Sequence, residues 1–401
     1  MSGAGLLVTT MFLASLLLSA GSLHRLNQEA YLTVPELVAS RGYPSESHDV
    51  VTEDGYILTM HRIPHGRHGP SVDRPPVLVQ HGILCSSACW VLSTSEKALG
   101  FVLADAGYDV WLGNFRGTNY AKKHVSLNLT DKQFWDFSWH ELGVYDLPAM
   151  VDYVLSRTGR EGLFYVAHSM GTTSFFVLLS MRPEYNSKIL AQFSLAPVAF
   201  LSHVRSPVIR LIIPFLTSLH QLQMVGPGEF LPNSQFLSAV ASLACPDGAL
   251  TPPVCTDISF LLTGFNQRQF NMTLLPVITG HVPAGSSIHQ FLHYAQEVHS
   301  GRFRQFDRGV VGNLLAYGSV EPPDYDLSKV TAPVYLYWGE NDWLADAEDV
   351  RELESKLPCV RASTRVPHPC FNHQDFMWAV DVEALLYRDV LARMAALRPP
   401  R

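Results

Sequence analysis

The chain is poor in charge. Only 16% of its 401 residues are Asp, Glu, Lys or Arg, against 47% hydrophobic residues. That balance excludes a disordered, solvent-swollen chain and favours a well-filled core beneath a fairly apolar surface. No Lys/Arg run or basic stripe occurs, and the formal net charge is −7, so a nucleic-acid partner is not expected. No cysteine has a close C-x2-C partner, so a zinc site is not expected either. There is no internal repeat and no low-complexity tract. Only one apolar run stands out, at the N-terminus. Leu211 to Leu219 is short and broken by Pro214.

That N-terminal run, Leu6 to Leu18, is apolar apart from Thr9, Thr10 and Ser15. Ser19, Ala20, Gly21 and Ser22 follow it. Length and flanks match a signal-peptide core with a small-residue cleavage zone near Gly21 rather than a membrane span. Residues 1–21 are therefore expected to be removed, leaving no transmembrane anchor. Two sequons, Asn128-Leu129-Thr130 and Asn271-Met272-Thr273, fit passage through the secretory pathway as glycosylation acceptors. In an oxidising compartment the six cysteines can pair. Cys245 and Cys255 bracket a turn-rich segment that suits a small disulfide loop. Cys359 and Cys370 bracket a second short segment and form a second candidate pair. Cys85 and Cys89 stay open.

The mature chain begins with a helix start at Thr33-Val34-Pro35-Glu36 and an alternating stretch from Ser47 to Arg62, folded back at Asp54-Gly55 as a hairpin. Strand and helix patterns then alternate. Strands are predicted at Pro76–Gln80, Tyr108–Leu112, Gly162–Val166 and Ile189–Pro197. Helices are predicted at Ser95–Ala106, Trp139–Ser156 and Thr172–Arg182. This rhythm predicts an α/β fold with a mostly parallel sheet covered on both faces. It breaks from about Phe200 to Asp326, where apolar residues persist without alternation and Pro and Gly are frequent. It resumes at Ala332–Gly339 and Val360–Val366, and a final helix is predicted over Trp378–Leu397. The expected organisation is a signal peptide (1–21), a core in two parts (22–199 and 327–401) and a helical cap or lid between them (200–326).

Ala167-His168-Ser169-Met170-Gly171 sits where a strand turns sharply into a helix. A G-x-S-x-G elbow occupies that setting, and small residues two before and two after the serine let strand and helix pass closely. Ser169 is the candidate nucleophile. A serine hydroxyl needs a base, and the base an orienting carboxylate, in the order serine, acid, histidine. Asp342, in Glu340-Asn341-Asp342 after a late strand, is the expected acid, with Glu340 and Asp346 in reserve. His373, after the last strand, is the expected base, with His368 in reserve. The oxyanion donors are expected to be the backbone N–H of Met170 and that of Ile83, in Gln80-His81-Gly82-Ile83-Leu84. Such chemistry calls for no metal and no cofactor.

These segments, with Val51-Thr52-Glu53-Asp54-Gly55-Tyr56, Leu103-Ala104-Asp105-Ala106-Gly107-Tyr108 and Asn372-His373-Gln374-Asp375-Phe376, resemble the acid lipase family of lysosomal and gastric lipases, from about Val34 to Leu391. The resemblance implies an α/β-hydrolase fold with a helical cap and hydrolysis of triacylglycerols or cholesteryl esters at an oil–water interface. It implies Ser169, Asp342 and His373 as catalytic residues, Ile83 and Met170 as oxyanion donors, and a cap disulfide between Cys245 and Cys255. The family's usual Gly-His-Ser-Gln-Gly is altered here, Ala167 and Met170 replacing Gly and Gln. An esterase for smaller soluble esters is the nearest alternative, and a non-catalytic lipid-binding homologue the next. The location expected is secreted or lysosomal.

Overall fold

The computed structural model describes residues 28–71, 73–221, 228–230 and 259–398. The expected signal peptide and the Cys245–Cys255 pair lie outside them. Helix α1 (Val34–Ser40) begins at Thr33 through a reciprocal capping box with Glu36, which satisfies two otherwise unpaired backbone donors. Strands β1 (Glu46–Val51) and β2 (Tyr56–Ile63) form the antiparallel hairpin, with Val50 opposite Leu58.

Strands β3 (Pro76–Gln80), β4 (Asp109–Leu112), β6 (Leu163–His168), β7 (Ile189–Leu195), β10 (Val334–Trp338) and β11 (Val360–Arg365) run parallel; the two-residue β5 (Lys123–His124) pairs with β2. The sheet order is β1-β2-β4-β3-β6-β7-β10-β11. β3, β4 and β6 are buried along their whole length, as strands covered on both faces must be. Their side chains alternate between two cores. Val77, Val79, Phe164 and Val166 enter one, and Leu78, Tyr165 and Ala167 the other. Helices α2 (Leu99–Asp105), α3 (Leu147–Thr158) and α4 (Met170–Met181) supply the crossovers. The predicted 139–156 helix is present but loosened by a π turn at Leu142–Asp146.

Between β7 and β10 the described chain is mainly helical, with α5 (Pro207–Gln221), α6 (Leu275–His281), α7 (Ile288–Ser300) and α8 (Gly309–Tyr317). Its one strand pair, β8 (Glu229–Phe230) with β9 (Ser286–Ser287), forms a separate ladder outside the central sheet. After α9 (Ala347–Lys356), β11 and the one-turn α10 (Asp375–Trp378), the expected closing helix is present but starts at 382 rather than 378: a π turn at Glu383–Tyr387 runs straight into α11 (Arg388–Ala396). Its start is delayed because Ala379 is extended and bridges Phe270, and Val380 donates to the Gln269 carbonyl.

The hairpin motif around Asp54-Gly55 has a structural explanation. Arg116 lies wholly buried, donates to both oxygens of Asp54 at 2.6 and 2.8 Å, and pairs with Asp146. Its guanidinium sits 3.8 Å from the centre of the Tyr56 ring. The motif thus ties the antiparallel edge to the parallel core.

One open cysteine pair is settled and one expected pair is overturned. Cys85 and Cys89 form a disulfide with Cα atoms 6.2 Å apart. Cys359 and Cys370 are free. The six residues of β11, about 20 Å of extended chain, lie among the residues between them, whereas a disulfide tolerates about 7 Å between Cα atoms. Among the described residues no helix is long and apolar enough to cross a membrane.

Candidate active site

Ser169 stands between β6 and α4 with φ +53° and ψ −121°, a region that L-residues enter only when their surroundings hold them there. Its N–H donates to the Leu195 carbonyl of β7 at 3.1 Å. The elbow is sterically tight. A Cβ on Gly171 would meet the carbonyl oxygens of Gln80 and His81 at 2.8 and 2.9 Å, and the Ala167 methyl at 3.2 Å. Ala167 is thus accommodated at the first small position, while Gly171 leaves no room for a second methyl.

The three residues expected from the sequence come together. His373 Nε2 lies 2.8 Å from Ser169 Oγ, and His373 Nδ1 lies 2.8 Å from Asp342 Oδ2. Asp342 is fully buried. Its Oδ1 accepts the N–H groups of Leu344 and Ala345, both at 2.9 Å, so one oxygen is fixed by the loop while the other faces the imidazole. With Nδ1–H donated to Asp342, His373 Nε2 is free to take the serine proton. The reserves are occupied elsewhere. Glu340 pairs with Arg365, Asp346 caps α9 and pairs with Arg205, and His368 Nδ1 accepts the Cys370 N–H.

The segments that carry the two expected oxyanion donors border the serine. Met170 is the first residue of α4, whose N–H has no acceptor within its own helix. Gly82 runs beside the serine so closely that a Cβ there would come within 3.0 Å of Ser169 Cβ. The next residue is Ile83, in a turn closed by Cys85 N–H donating to the Gly82 carbonyl. That turn bond does not use the Ile83 N–H. The helix dipole of α4 adds partial positive charge on the same side.

Two flanking histidines support the site. His81 is fully buried; its Nδ1–H donates to the Gly82 carbonyl and its Nε2 accepts the Phe115 N–H. Burial pushes it down to about 4, so it is neutral. His168 is buried too, and burial with the nearby His373 holds it well below the usual range. Its Nε2–H donates to the His373 carbonyl at 2.8 Å, fixing the backbone of the candidate base. The sequence motif contains His168 but carries no signal for that bond.

Met170, where the family's usual residue is Gln, is buried under the insertion. The Gln290 amide of α7 donates to its sulfur at 3.5 Å, and Gln290 Oε1 accepts the Ser287 N–H. Gln290 lies 120 residues away, in a segment without a readable period, so no local pattern points to it. Among the described residues no group of three or more His, Cys, Asp or Glu side chains could hold a metal ion.

A Ser–His–Asp chain at the carboxyl ends of a parallel, doubly covered sheet defines the serine hydrolases of the α/β-hydrolase class. The comparisons agree. Residues 75–379 match the alpha/beta hydrolase fold model, and residues 34–94 match the model of the partial alpha/beta-hydrolase lipase region. A lipase structure from Sulfolobus solfataricus superposes with a TM-score of 0.58 at 13% identity, covering 88% of this chain and 99% of that one; it is similar in fold. Among curated proteins, Lipase 3 of Drosophila melanogaster is 42% identical over 90% of this chain and 92% of its own. Human lysosomal acid lipase/cholesteryl ester hydrolase is 38% identical over 94% of each. The chain belongs to the acid lipase family of α/β-hydrolases.

Proposed function

We propose that the protein is a lipase, a serine carboxylic ester hydrolase acting on neutral lipids, with triacylglycerols as the principal substrates and cholesteryl esters as a second class. The observation that carries this reading is the unbroken chain Asp342–His373–Ser169, with two 2.8 Å hydrogen bonds. Ser169 Oγ attacks the ester carbonyl carbon while His373 Nε2 takes its proton. The tetrahedral oxyanion is held by the N–H groups of Met170 and Ile83. His373 then returns the proton to the departing alcohol as the C–O bond breaks. Water, deprotonated by His373, attacks the acyl carbon; the bond to Ser169 Oγ breaks, His373 returns the proton to that oxygen, and the fatty acid leaves. Asp342 stabilises the imidazolium in both halves.

The family membership supports the lipid substrate, as do exposed aliphatic side chains in the inserted segment, with Leu211, Val311 and Leu315 at 78, 72 and 85% exposure. Residues 200–326 act as the cap over a core formed by 22–199 and 327–401, and the contact from Gln290 to Met170 supports that role. The protein is secreted or lysosomal, its leader (1–21) is cleaved, and Asn128 and Asn271, both exposed, carry glycans.

Purified mature protein assayed on a long-chain triacylglycerol emulsion and on a short soluble ester, from pH 4 to 8, tests this reading. Faster turnover of the emulsion, lost in Ser169→Ala, is expected. Equal turnover of both substrates with no gain at the oil–water interface would reject the lipase in favour of a general esterase. No turnover of either would reject the enzyme.

A further inference from the structure

The acid and base loops belong to the core, yet much of what holds them comes from the inserted segment. At its entry, Arg205 donates through Nη2 to the carbonyl oxygens of Glu340 and Asp342, each at 2.8 Å, and through Nε to Asp346 at 2.7 Å. The backbone N–H groups of Arg205 and Ser206 both donate to Trp343.

A second contact, more than fifty residues further on, is closer to the chemistry. The Thr263 carbonyl accepts two N–H groups at 3.3 Å, one from Trp343 beside the acid and one from His373 itself. Gly264 O accepts Asn372 Nδ2 at 2.6 Å, and Phe265 O accepts Asn341 Nδ2 at 2.8 Å. Asn266 Nδ2 donates to Asp375 at 2.6 Å, and Ser259 Oγ donates to Gln374 at 2.6 Å. The short turn 263–266 therefore grips residues 341, 343, 372, 373 and 375, and Ser259 just before it holds residue 374. Ser206 Oγ, bonded to the Leu261 carbonyl at 3.0 Å, ties this turn to the entry contact.

The turn fits because of one residue. Gly264 has φ +106°, and a Cβ there would lie 2.0 Å from the Asn341 carbonyl oxygen and 3.2 Å from Asn372 Cβ. The clash is with backbone on the acid side, which has no rotamer to swing away. We propose that the turn 263–266 of the insertion is a positioning element that sets the separation of Asp342 and His373, with Gly264 as the residue that admits it between the two loops. It acts through the acid and base and touches no reacting atom. The proposal rests on the serine-hydrolase reading given above.

Gly264→Ala tests it, with Gly309→Ala as control, because Gly309 also has positive φ (+74°) in the insertion but meets nothing within 4 Å. The control separates left-handed backbone strain from displacement of the loops. On a short soluble ester, Gly264→Ala is expected to lower kcat by roughly 10- to 100-fold with KM held within about twofold, the pattern of lost alignment rather than lost binding. Gly309→Ala should leave both constants at wild-type values. The downfield proton resonance of His373 Nδ1–H reads the same geometry without turnover. It should move upfield in Gly264→Ala and stay in place in Gly309→Ala. A folded Gly264→Ala protein with wild-type kcat and an unmoved resonance overturns the proposal, as does a loss confined to KM. Should Gly264→Ala fail to give a cooperative melt, Asn266→Ala removes the bond to Asp375 without adding volume. A drop in kcat of about 5- to 10-fold supports the proposal there, and wild-type kcat overturns it. If wild-type protein hydrolyses no ester, the functional reading fails while the resonance still decides the positioning role.

Discussion

Two chains of hydrogen-bonded polar groups, each with a buried centre, cross this molecule, and they behave differently. One runs Asp54–Arg116–Asp146 beneath the antiparallel edge. The other runs Asp342–His373–Ser169 along the strand ends. In the first, a permanently charged guanidinium spends its donors on two carboxylates and lies on an aromatic ring, so nothing in it is left to react. In the second, the middle group is a histidine that can gain and lose a proton, and the chain ends on a hydroxyl. Burial and tight hydrogen bonds therefore do not mark a site by themselves; a titratable centre and a reactive end do.

The comparison is open to attack from either side. The largest effect belongs to the second chain. Ser169→Ala or His373→Ala should lower kcat by roughly 10⁴- to 10⁶-fold while leaving the melting temperature close to wild type; a residual rate within tenfold of wild type would remove these residues from the chemistry. Arg116→Met should do the reverse. It strands two carboxylates, one of them fully buried, and should cost about 3–5 kcal/mol by denaturant unfolding, with turnover per folded molecule preserved. A large loss of turnover in fully folded Arg116→Met protein would show that the two chains are coupled.

A third effect is pH-dependent. The His81 imidazole is held neutral by burial, with a pKa lowered to about 4, whereas in the unfolded chain it titrates near about 6.5. The unfolded state then binds more protons between those values. Stability is full above pH 6.5 and falls as the pH drops through that window, on the order of 3 kcal/mol in all. His81→Gln, whose carbonyl can still accept the Phe115 N–H, should flatten the decline in melting temperature from pH 6.5 to 4. An unchanged slope would put the acid sensitivity on other groups, such as the equally buried His61. The smallest effect is Asp54→Asn, which keeps an acceptor for Arg116 but loses the charge. It should cost about 1–2 kcal/mol and leave turnover unchanged.

Much of this was legible in the sequence because strands and elbows obey local rules. The buried runs Pro76–Gln80 and Leu163–His168, the small residues around Ser169, and the loops after the last two strands each announce themselves through period and turn chemistry. The motif around Asp54-Gly55 was equally visible, but its part in the first chain was not, since Arg116 is remote in sequence. Long-range placement explains the other differences. Cys359 and Cys370 are close in sequence, yet an extended strand lies between them and neither pairs. The closing helix starts four residues later than its pattern suggests because Gln269 and Phe270 capture the backbone at Val380 and Ala379. Gln290 under Met170 and the turn at Gly264 come from a segment without periodicity, where no local pattern indicates which loop a residue will meet.

The most direct test of the central claim is to label the mature protein with a fluorophosphonate probe and locate the adduct by peptide mass spectrometry. A single adduct on Ser169, formed in step with loss of ester hydrolysis and missing from His373→Ala protein, is expected. An adduct on a different serine, or full hydrolysis after Ser169 is blocked, would contradict it.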